Sequence, residues 1–483
     1  MGEQADLIQG SRRRTPTRIR AAGRAVRQAH GVANEPGPTP ESETVRARSA
    51  PRTSLRRVAF ADRVLGSLWF IPLCAAVLAL VASRLSLAFD DHLHRGPFTD
   101  VLIRGSASTL SAVAATLAAG MLTFLGVVFS TTLVAIQLAS SQYSPRIVRV
   151  FVRSRLTQAT LAIFTATFVF SVNTLVGTGK APRASGPGLS MTIIYVLVLA
   201  SVAMFLAFIH GMVRLLRVQY LLRLTARRSH EALDHSFIPA DAYIAAAHPR
   251  TGPSVREVRT GERAAGGRRG TPRVLQSIDL GGLAADAARA GCWVEMCIAV
   301  GEHAGPLAVV ARIHGADPSA LGDEDVHARL LFGSERTMIQ DPAFGIRQLV
   351  DTASRALSPA INDPTTGVQA LQRVMDLLAR IVDRPDPTGW YLDEDGTVRV
   401  FTPVDDFERL ATLGFTEIIH YGADAPQVVR CLRACLRDLE GATSGERRRA
   451  IERIGSLCSQ AVDESLRVSL RGLGEVPDRM GLG

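Results

Sequence analysis

The stretch Gly105–Pro145, GSASTLSAVAATLAAGMLTFLGVVFSTTLVAIQLASSQYSP, runs for 41 residues without a charged side chain. A helix of about 20 apolar residues is enough to cross the hydrocarbon core of a bilayer, which is roughly 30 Å thick. Both ends of the stretch are rich in Ser, Thr and Gln, so the predicted span is its apolar middle, about residues 113–138. One long helix is the favoured interpretation. The alternative is a helix pair with a turn near Gly120 or Gly126.

Three further uncharged stretches are long enough to cross a bilayer. They predict spans at about residues 64–83, 156–179 and 189–210. The composition agrees, because the 483-residue chain is 47% hydrophobic and only 21% charged. The sequence therefore predicts an α-helical integral membrane protein with four transmembrane helices. We expect no Asp, Glu, Lys or Arg inside any span, which disfavours transport coupled to an intramembrane carboxylate.

The basic residues predict the orientation of the spans, because loops rich in Lys and Arg stay in the cytoplasm. The segment before the first span contains thirteen Arg, and the loop between the second and third spans contains Arg146, Arg149, Arg153 and Arg155. The two loops that would lie on the opposite side contain fewer basic residues. We therefore expect both termini in the cytoplasm.

The net charge of +10 is unevenly distributed along the chain. Residues 1–63 and 64–213 carry net charges of +7 and +6, whereas residues 214–483 carry a net charge of −3. The large C-terminal part is not basic, which disfavours nucleic acid as a partner. The basic tail and the basic loop instead predict contact with the lipid bilayer through anionic lipid headgroups.

Composition and periodicity divide the chain into five parts. Residues 1–57, rich in Arg, Pro, Ser, Gly and Ala, predict a disordered basic tail, and residues 58–213 are the transmembrane domain. Residues 214–248 predict a juxtamembrane helix, which either lies on the membrane surface or continues the last span as a stalk. Residues 249–273, rich in Gly, Arg and Pro, predict a linker. Residues 274–483 mix strand and helix periods and predict a cytoplasmic α+β domain.

Two hairpins are predicted in the C-terminal domain. Residues Val294–Val300 alternate with strand period, GEHAGP forms a turn, and LAVVARI returns. The stretch WYLDEDGTVRVF predicts a second hairpin that turns at Asp395 and Gly396.

The stretch SRALSPAINDPTTGVQALQ, Ser354–Gln372, marks a corner where two helices meet. Asp341 and Asp363 are predicted N-caps, each followed by Pro at the first helical position, and Pro359 ends the first helix. Caps alone do not explain why so many polar side chains are crowded here. They either satisfy backbone groups at the two helix ends or bind a ligand, an anion or a second subunit. The candidate binding residues are Arg347, Asp351, Arg355, Ser358, Asn362, Asp363, Thr365 and Thr366.

A longer stretch around this corner resembles a known family. The residues RTMIQDPAFGIRQLVDTASRALSPAINDPTTGVQALQRV, Arg336–Val374, are similar to the signature of a bacterial family of predicted membrane proteins known as domain of unknown function 2254. The likeness extends to SLWFIP and to GVVFSTTLVAIQLASSQYSPRIVRVFVRS, and it covers most of residues 65–439. It implies integral-membrane character and no activity. Together with the four predicted spans, it leads us to expect a multi-pass protein of the bacterial inner (plasma) membrane. The chain departs from the family pattern in its Arg-rich tail, in its linker and in VGEHAGPLAVV.

Two functional hypotheses follow, and both expect a homo-oligomer. The first is a membrane-anchored sensor or assembly scaffold whose cytoplasmic domain binds a ligand or partner. The second is a passive ion channel or transporter gated by that domain. It depends on small and hydroxylated side chains of the second span, which either line a pore or let helices pack closely. These pore-lining or helix-packing candidates are Gly120, Thr123, Gly126, Ser130 and Thr131.

We do not expect an enzyme, a cofactor or a bound metal. The six Cys form no Cys-x-x-Cys pair and have no His cluster nearby, so the metal and redox patterns of Cys are missing from the sequence. The sequence shows no paired nucleophile and base, and it predicts no catalytic residue. It does not identify a substrate, an ion or a small-molecule ligand.

Overall fold

The structure of the protein is a computed structural model. It describes residues 44–51, 67–93, 106–142, 154–180, 188–215, 217–249, 254–260 and 273–474. The chain divides into two compact units, residues 1–45 and residues 46–483. The membrane-spanning helices and the C-terminal domain both belong to the second unit.

Several predicted features lie outside the described residues. They include most of the predicted tail, the loop residues Arg146, Arg149 and Arg153, and residues 250–253 and 261–272 of the predicted linker. The predictions for these residues stay predictions.

Four long apolar helices come first in the described chain. They are α1 (Phe70–Leu93), α2 (Ala107–Gln142), α3 (Arg155–Lys180) and α4 (Gly188–Leu215). Each is long and apolar enough to cross a membrane, over Phe70–Asp90, Ser108–Leu138, Arg155–Gly177 and Gly188–Arg214 respectively. The prediction of four apolar helices of spanning length is therefore confirmed. Because α2 is one continuous helix, the single-helix interpretation is correct and the helix pair is wrong.

The third helix lies at the centre of this group. α3 packs against α1, α2 and α4, and its span is the most buried of the four. Thr167 Oγ1 of α3 lies 3.0 Å from Ser201 Oγ of α4. The ring of Phe164 stacks on that of Phe124 in α2, with 5.9 Å between the centroids. Interhelical hydrogen bonds and close packing are the interactions that join helices in lipid.

The first span contains two charged residues, so the expectation of uncharged spans is wrong. α1 continues beyond the predicted end at Ser83 and includes Arg84 and Asp90. The Asp90 carboxylate is only 2% exposed. It accepts hydrogen bonds from the backbone N–H groups of Leu189 (2.7 Å) and Ser190 (3.1 Å) and from Ser190 Oγ (2.6 Å). The free N–H groups at the start of α4 thus replace the water that the carboxylate loses on burial.

A short break at Arg217 separates α4 from α5 (Val218–Ser236). Leu221 of α5 is buried among side chains of α2, α3 and α4. The next residue, Leu222, is buried with Leu233 in the helical core of the C-terminal domain. The predicted juxtamembrane helix therefore consists of the end of α4 and α5, and α5 joins the two parts of the protein.

The C-terminal domain contains two sheets. Their strands are β1 (Thr44–Ser49), β2 (Ile244–Ala247), β3 (Ser254–Arg259), β4 (Arg273–Ile278), β5 (Cys292–Met296), β6 (His303–Ala304), β7 (Val309–Gly315), β8 (Leu330–Gly333), β9 (Trp390–Leu392) and β10 (Val398–Phe401). The larger sheet has the order β2-β1-β9-β10-β5-β7-β3, and the smaller has the order β6-β4-β8. β1 pairs parallel with β9 and β10 parallel with β5, whereas β5, β7 and β3 pair antiparallel. Helix α6 (Leu280–Arg289) packs on this sheet, and the short α7 (Asp323–Ala328) precedes β8.

Three strands correct the predicted domain boundaries. β1 lies in the predicted disordered tail, β2 in the predicted juxtamembrane helix and β3 in the predicted linker. β1 and β3 were missed because they carry little apolar signal: Ala47 is the one fully buried residue of β1, and Val258 is that of β3. β2, with the sequence IAAA and no fully buried residue, has no alternation that distinguishes a strand from a helix. β1 and β3 are held by main-chain pairing with a neighbour, which depends little on side-chain type.

Both predicted hairpins are present, with one difference. β9 and β10 are antiparallel and turn at Gly396, whose φ of +78° is the left-handed conformation that favours Gly. β5 and β7 are also antiparallel. Their connection is not the predicted short turn, because within it β6 pairs with β4 of the smaller sheet.

A second core consists of helices. It contains α5 together with α8 (Pro342–Ala356), α9 (Pro364–Ala379), α10 (Phe407–Gly422), α11 (Pro426–Ala442) and α12 (Gly445–Gly474). Asp341 and Asp363 cap α8 and α9 as predicted, each with Pro in the first turn. A mixed α/β C-terminal domain is thereby confirmed, whereas its cytoplasmic location stays a prediction.

Helices α5 and α8 approach each other closely at Gly345. A Cβ atom added to Gly345 would lie 1.8 Å from Ser229 Oγ and 2.6 Å from Ser229 Cβ. The Ser229 backbone is also near, with its Cα at 3.4 Å. Only a residue without a side chain fits at this crossing.

We expect Gly345→Ala to destabilise the protein by about 1–3 kcal/mol, because the methyl group must push α5 away from α8. Gly455→Ala in α12 is the matched control, since a Cβ there would meet no described atom within 4 Å and Ala favours a helix by about 1 kcal/mol over Gly. Thermal unfolding of the purified protein checks this. A melting temperature that is the same for Gly345→Ala and the wild type would contradict the close crossing.

Candidate functional site

A cavity of about 650 Å³ lies where the helical core meets the sheets. Its walls come from distant parts of the chain: Arg48 of β1, Asp234 at the end of α5, Leu280 at the start of α6, Pro342 at the start of α8, and Asp405 after β10. This volume is typical of sites that bind small molecules. We therefore take this cavity as the candidate functional site.

The start of α8 forms a rigid wall of the cavity. Asp341, 2% exposed, accepts a hydrogen bond from the Phe344 N–H at 2.9 Å and two from the Arg336 guanidinium at 2.8 Å each. Burial raises the pKa of the Asp341 carboxyl, while Arg336 acts in the opposite direction. The Gln340 amide accepts from Ile278 N at 2.9 Å and donates to Ile278 O at 3.0 Å. These bonds fix α8 to β4 beside the cavity.

Arg48 connects the sheet to α5 at the cavity wall. Its Nη1 donates to the backbone oxygen of His235 at 2.7 Å, and its Nη2 donates to the Tyr391 hydroxyl at 2.8 Å. The guanidinium also lies over the Tyr391 ring, 4.9 Å from the centroid. Among the described residues, the hydrogen-bond partners of Arg48 are thus neutral groups, and none is a carboxylate.

The two carboxylates of the wall, by contrast, have basic partners. Asp234 accepts hydrogen bonds from Arg380 at 2.6 and 2.9 Å and from Arg384 at 2.8 Å. The bond from Arg380 is the main reason that the pKa of Asp234 lies below its usual range. Asp405 lies 2.8 Å from Arg409 Nε, and burial raises the pKa of Asp405.

Most of the remaining wall is apolar. The side chains of Ile278, Leu280, Val300, Ile339 and Val404 line the cavity, together with several Pro residues. A mostly apolar cavity with a few fixed polar groups is the usual form of a small-molecule site.

The polar corner predicted from the sequence lies at the other end of α8. Ser358 Oγ donates to the Arg355 backbone oxygen at 2.7 Å, and Asp363 Oδ1 accepts from Thr366 N at 3.1 Å. Asn362 has a φ of +48°, in the left-handed region that Asn tolerates better than most residues. These contacts are those expected where one helix ends and the next begins. A binding role for the corner stays a prediction.

Two of the predicted residues point away from this corner. Arg347 Nε donates to Asp351 Oδ1 at 2.7 Å, and Arg347 Nη2 donates to Glu417 Oε2 at 2.9 Å. Arg347 therefore ties α8 to α10. Because α8 has 15 residues and a helix rises about 1.5 Å per residue, the corner and the cavity are separated by roughly 20 Å.

The pore-lining candidates share an outer face of α2. Thr123, Gly126, Ser130 and Thr131 are exposed, and Gly120 is half-buried. A Cβ atom at Gly120 or Gly126 would meet no described atom within 4 Å. This face is largely exposed in the described part of one chain, and its role in a pore or in helix packing stays a prediction.

No group of three or more His, Cys, Asp or Glu among the described residues is placed to hold a metal ion. Cys431 and Cys435, one turn apart in α11, have their Sγ atoms 4.0 Å apart. The hydrogen bond from Cys435 lowers the pKa of Cys431 to about 7. The expectation that the protein needs no metal or cofactor stays a prediction.

The sequence analysis missed the cavity, because its walls are brought together only by the fold. One signal was present: Gln340, Asp341 and Pro342 belong to the family-like stretch, and Asp341 and Pro342 were predicted to start a helix. Arg48 gave no signal, because it was one of many Arg in an apparent tail.

These features define a multi-pass membrane protein with a C-terminal domain of mixed α/β structure that contains a cavity of small-molecule size. The model of a family described as predicted membrane protein, DUF2254, matches residues 66–438. The chain belongs to this family, and the resemblance of Arg336–Val374 is confirmed.

Similar proteins occur in mycobacteria. They include the uncharacterized protein Rv1290c of Mycobacterium tuberculosis H37Rv and the uncharacterized protein Mb1321c of Mycobacterium bovis. Each is 29% identical to this chain over 458 residues, which is 90% of this chain and 86% of the relative. No solved structure matches the chain.

We expect Asp363→Ala to lower the stability by about 1 kcal/mol, because it removes the cap from the Thr366 N–H, and to leave the oligomeric state unchanged. Thr365→Ala is the control, because Thr365 is exposed at the same corner, and it should change neither property. Thermal unfolding and native mass spectrometry measure the two effects. Loss of oligomers without loss of stability in Asp363→Ala would show instead that the corner contacts a second subunit.

Proposed function

We propose that the protein is a membrane-anchored sensor, in which a small ligand bound in the cavity alters how α5 meets the membrane-spanning helices. The observation that carries this proposal is that α5 takes part in both places. Leu221 packs among α2, α3 and α4, whereas Asp234, His235 and Ser236 at the other end of α5 line the cavity. A ligand that contacts this end of α5 therefore contacts the same helix that packs against the membrane-spanning helices.

A hinge and a clamp support the proposal. Arg217, between α4 and α5, has an extended backbone with φ −79° and ψ 120°, and such residues at helix ends absorb hinge motions. The cavity end of α5 is held by Arg48 and by the two Arg partners of Asp234. A ligand shifts an equilibrium only when it binds the two states differently. The proposal therefore requires that the ligand bind more tightly to one position of the cavity end of α5 than to another.

The proposal includes location and assembly. The four spans cross the bacterial inner membrane, both termini and the C-terminal domain are cytoplasmic, and basic residues near the spans contact anionic lipid headgroups. The protein acts as a homo-oligomer. Its cavity binds a ligand without transforming it, and neither a cofactor nor nucleic acid takes part.

We expect Ile339→Trp, which adds an indole to the cavity wall as a bound ligand would, to change amide hydrogen exchange at Arg217–Leu222 by about threefold or more. Ile361→Trp is the matched control, because Ile361 is similarly exposed, at 42% against 38% for Ile339, and does not line the cavity. Exchange measured by mass spectrometry on the protein in nanodiscs checks this. Altered exchange at Asp234–Ile238 with unchanged exchange at Arg217–Leu222 would contradict the sensor.

We propose a homo-oligomeric passive channel, gated by the C-terminal domain, as a second function. It is favoured by the largely exposed face of α2 on which Gly126 and the hydroxylated side chains of Thr123, Ser130 and Thr131 lie. Copies of this helix that meet around an axis would line a pore with Thr and Ser hydroxyl groups. The same face would serve helix packing in an oligomer without a pore.

If this second function holds, we expect the purified wild-type protein to give discrete conductance steps in planar bilayers. Gly126→Leu should abolish these steps, because the added side chain fills the face formed by small residues. Val127→Leu is the control, since Val127 is exposed at the next position and already carries a branched side chain. Silence of intact wild-type oligomers under tension and across ion types would exclude the channel.

A further inference from the structure

We propose that the ligand of the cavity carries a carboxylate on an apolar body, and that Arg48 binds the carboxylate. This inference depends on the proposed ligand-binding role of the cavity and adds the chemical class of the ligand. Its basis is the distribution of charge around the cavity and the position of Arg48 in the wall.

The charges of the wall leave one cation without an anion among the described residues. Asp234 is bound by two guanidinium groups, and Asp405 lies beside Arg409. Arg48 has only the His235 carbonyl and the Tyr391 hydroxyl as hydrogen-bond acceptors. The C-terminal end of α5 offers it about half a negative charge. A ligand that supplies an anion completes this arrangement.

Arg48 also has the geometry of an anion-binding residue. It is half-buried, and its guanidinium carbon lies over the Tyr391 ring, 4.9 Å from the centroid, which limits where the guanidinium can move. Two of its N–H groups bond to described partners, so three of the five N–H groups of a guanidinium remain for a ligand. A carboxylate matches a guanidinium edge with two parallel hydrogen bonds.

The rest of the cavity wall favours a ligand whose remaining part is apolar. Ile278, Leu280, Val300, Ile339 and Val404 offer no polar group to a ligand. The buried hydroxyl of Thr402, in the same wall, has no hydrogen-bond partner among the described residues. A cationic ligand would be repelled by Arg48, which has neutral partners among the described residues, whereas a carboxylate would be attracted to it. The apolar space desolvates either charge, so the attraction to Arg48 favours a compact apolar acid.

The test compares a carboxylate with its uncharged analogue. The probes are 4-(trifluoromethyl)benzoate and 4-(trifluoromethyl)benzamide, which have nearly the same shape and differ in charge. Binding to the full-length protein in nanodiscs is followed by fluorine NMR. We expect the wild type to bind the acid about tenfold or more tightly than the amide, as charge-assisted hydrogen bonds predict.

Three variants assign the preference to Arg48 and to the cavity. Arg48→Met, which keeps much of the apolar stem, is expected to bind acid and amide equally. Arg46→Met is the matched control on the same strand, because Arg46 is exposed and does not line the cavity, and it should keep the preference for the acid. Ile339→Trp, which fills the cavity, should weaken binding of both probes.

Three results would overturn the proposal: no binding of the acid to the wild type, equal binding of acid and amide to the wild type, or an unchanged preference in Arg48→Met. The first two comparisons use the native protein, so they hold even where a variant folds poorly. A different result would contradict the sensor function alone. In that case the wild type still binds the acid, but amide hydrogen exchange at Arg217–Leu222 is unchanged by Ile339→Trp.

Discussion

Two adjacent leucines of α5 are buried in different cores, and the arrangement of the protein depends on this. Leu221 packs with the membrane-spanning helices and Leu222 with the helices of the C-terminal domain. Consecutive residues on a helix point about 100° apart, so α5 presents one face to each core. Its position is therefore fixed from two sides, and the close crossing with α8 at Gly345 fixes it further. Any displacement of α5 must be accommodated by both cores.

The cavity is a consequence of having two cores in one domain. The helices pack around one set of apolar side chains and the sheets around another, and α5, α8 and β1 meet where the two sets adjoin. A few directed contacts hold this junction, chiefly Arg48 to α5 and Gln340 to Ile278. Close packing fills the interior of a core, whereas a cavity of about 650 Å³ remains at this junction. Such junctions are where ligand sites usually occur.

The features that were predicted correctly depend on residues close to one another in the sequence. The uncharged run of α2, the caps Asp341 and Asp363, and the turn at Gly396 need only local physics, and the structure contains all of them. The failures were long-range. Asp90 stays inside a span because its hydrogen-bond donors belong to α4, and β1 forms because β9 is there to pair with it. The cavity was missed for the same reason, since its walls become neighbours only in the folded chain.

Asp90 and Arg48 are both charged residues beside a helix terminus, but only Arg48 is placed to bind a ligand. Each is stabilised by a helix terminus of the opposite polarity, Asp90 by the N–H groups of α4 and Arg48 by the last carbonyls of α5. Asp90 accepts three hydrogen bonds and is 2% exposed, so most of its hydrogen-bonding capacity is used within the protein. Arg48 borders a cavity and bonds to two described acceptors, although a guanidinium has five N–H groups. The first charge therefore joins two helices, whereas the second is placed to receive a ligand.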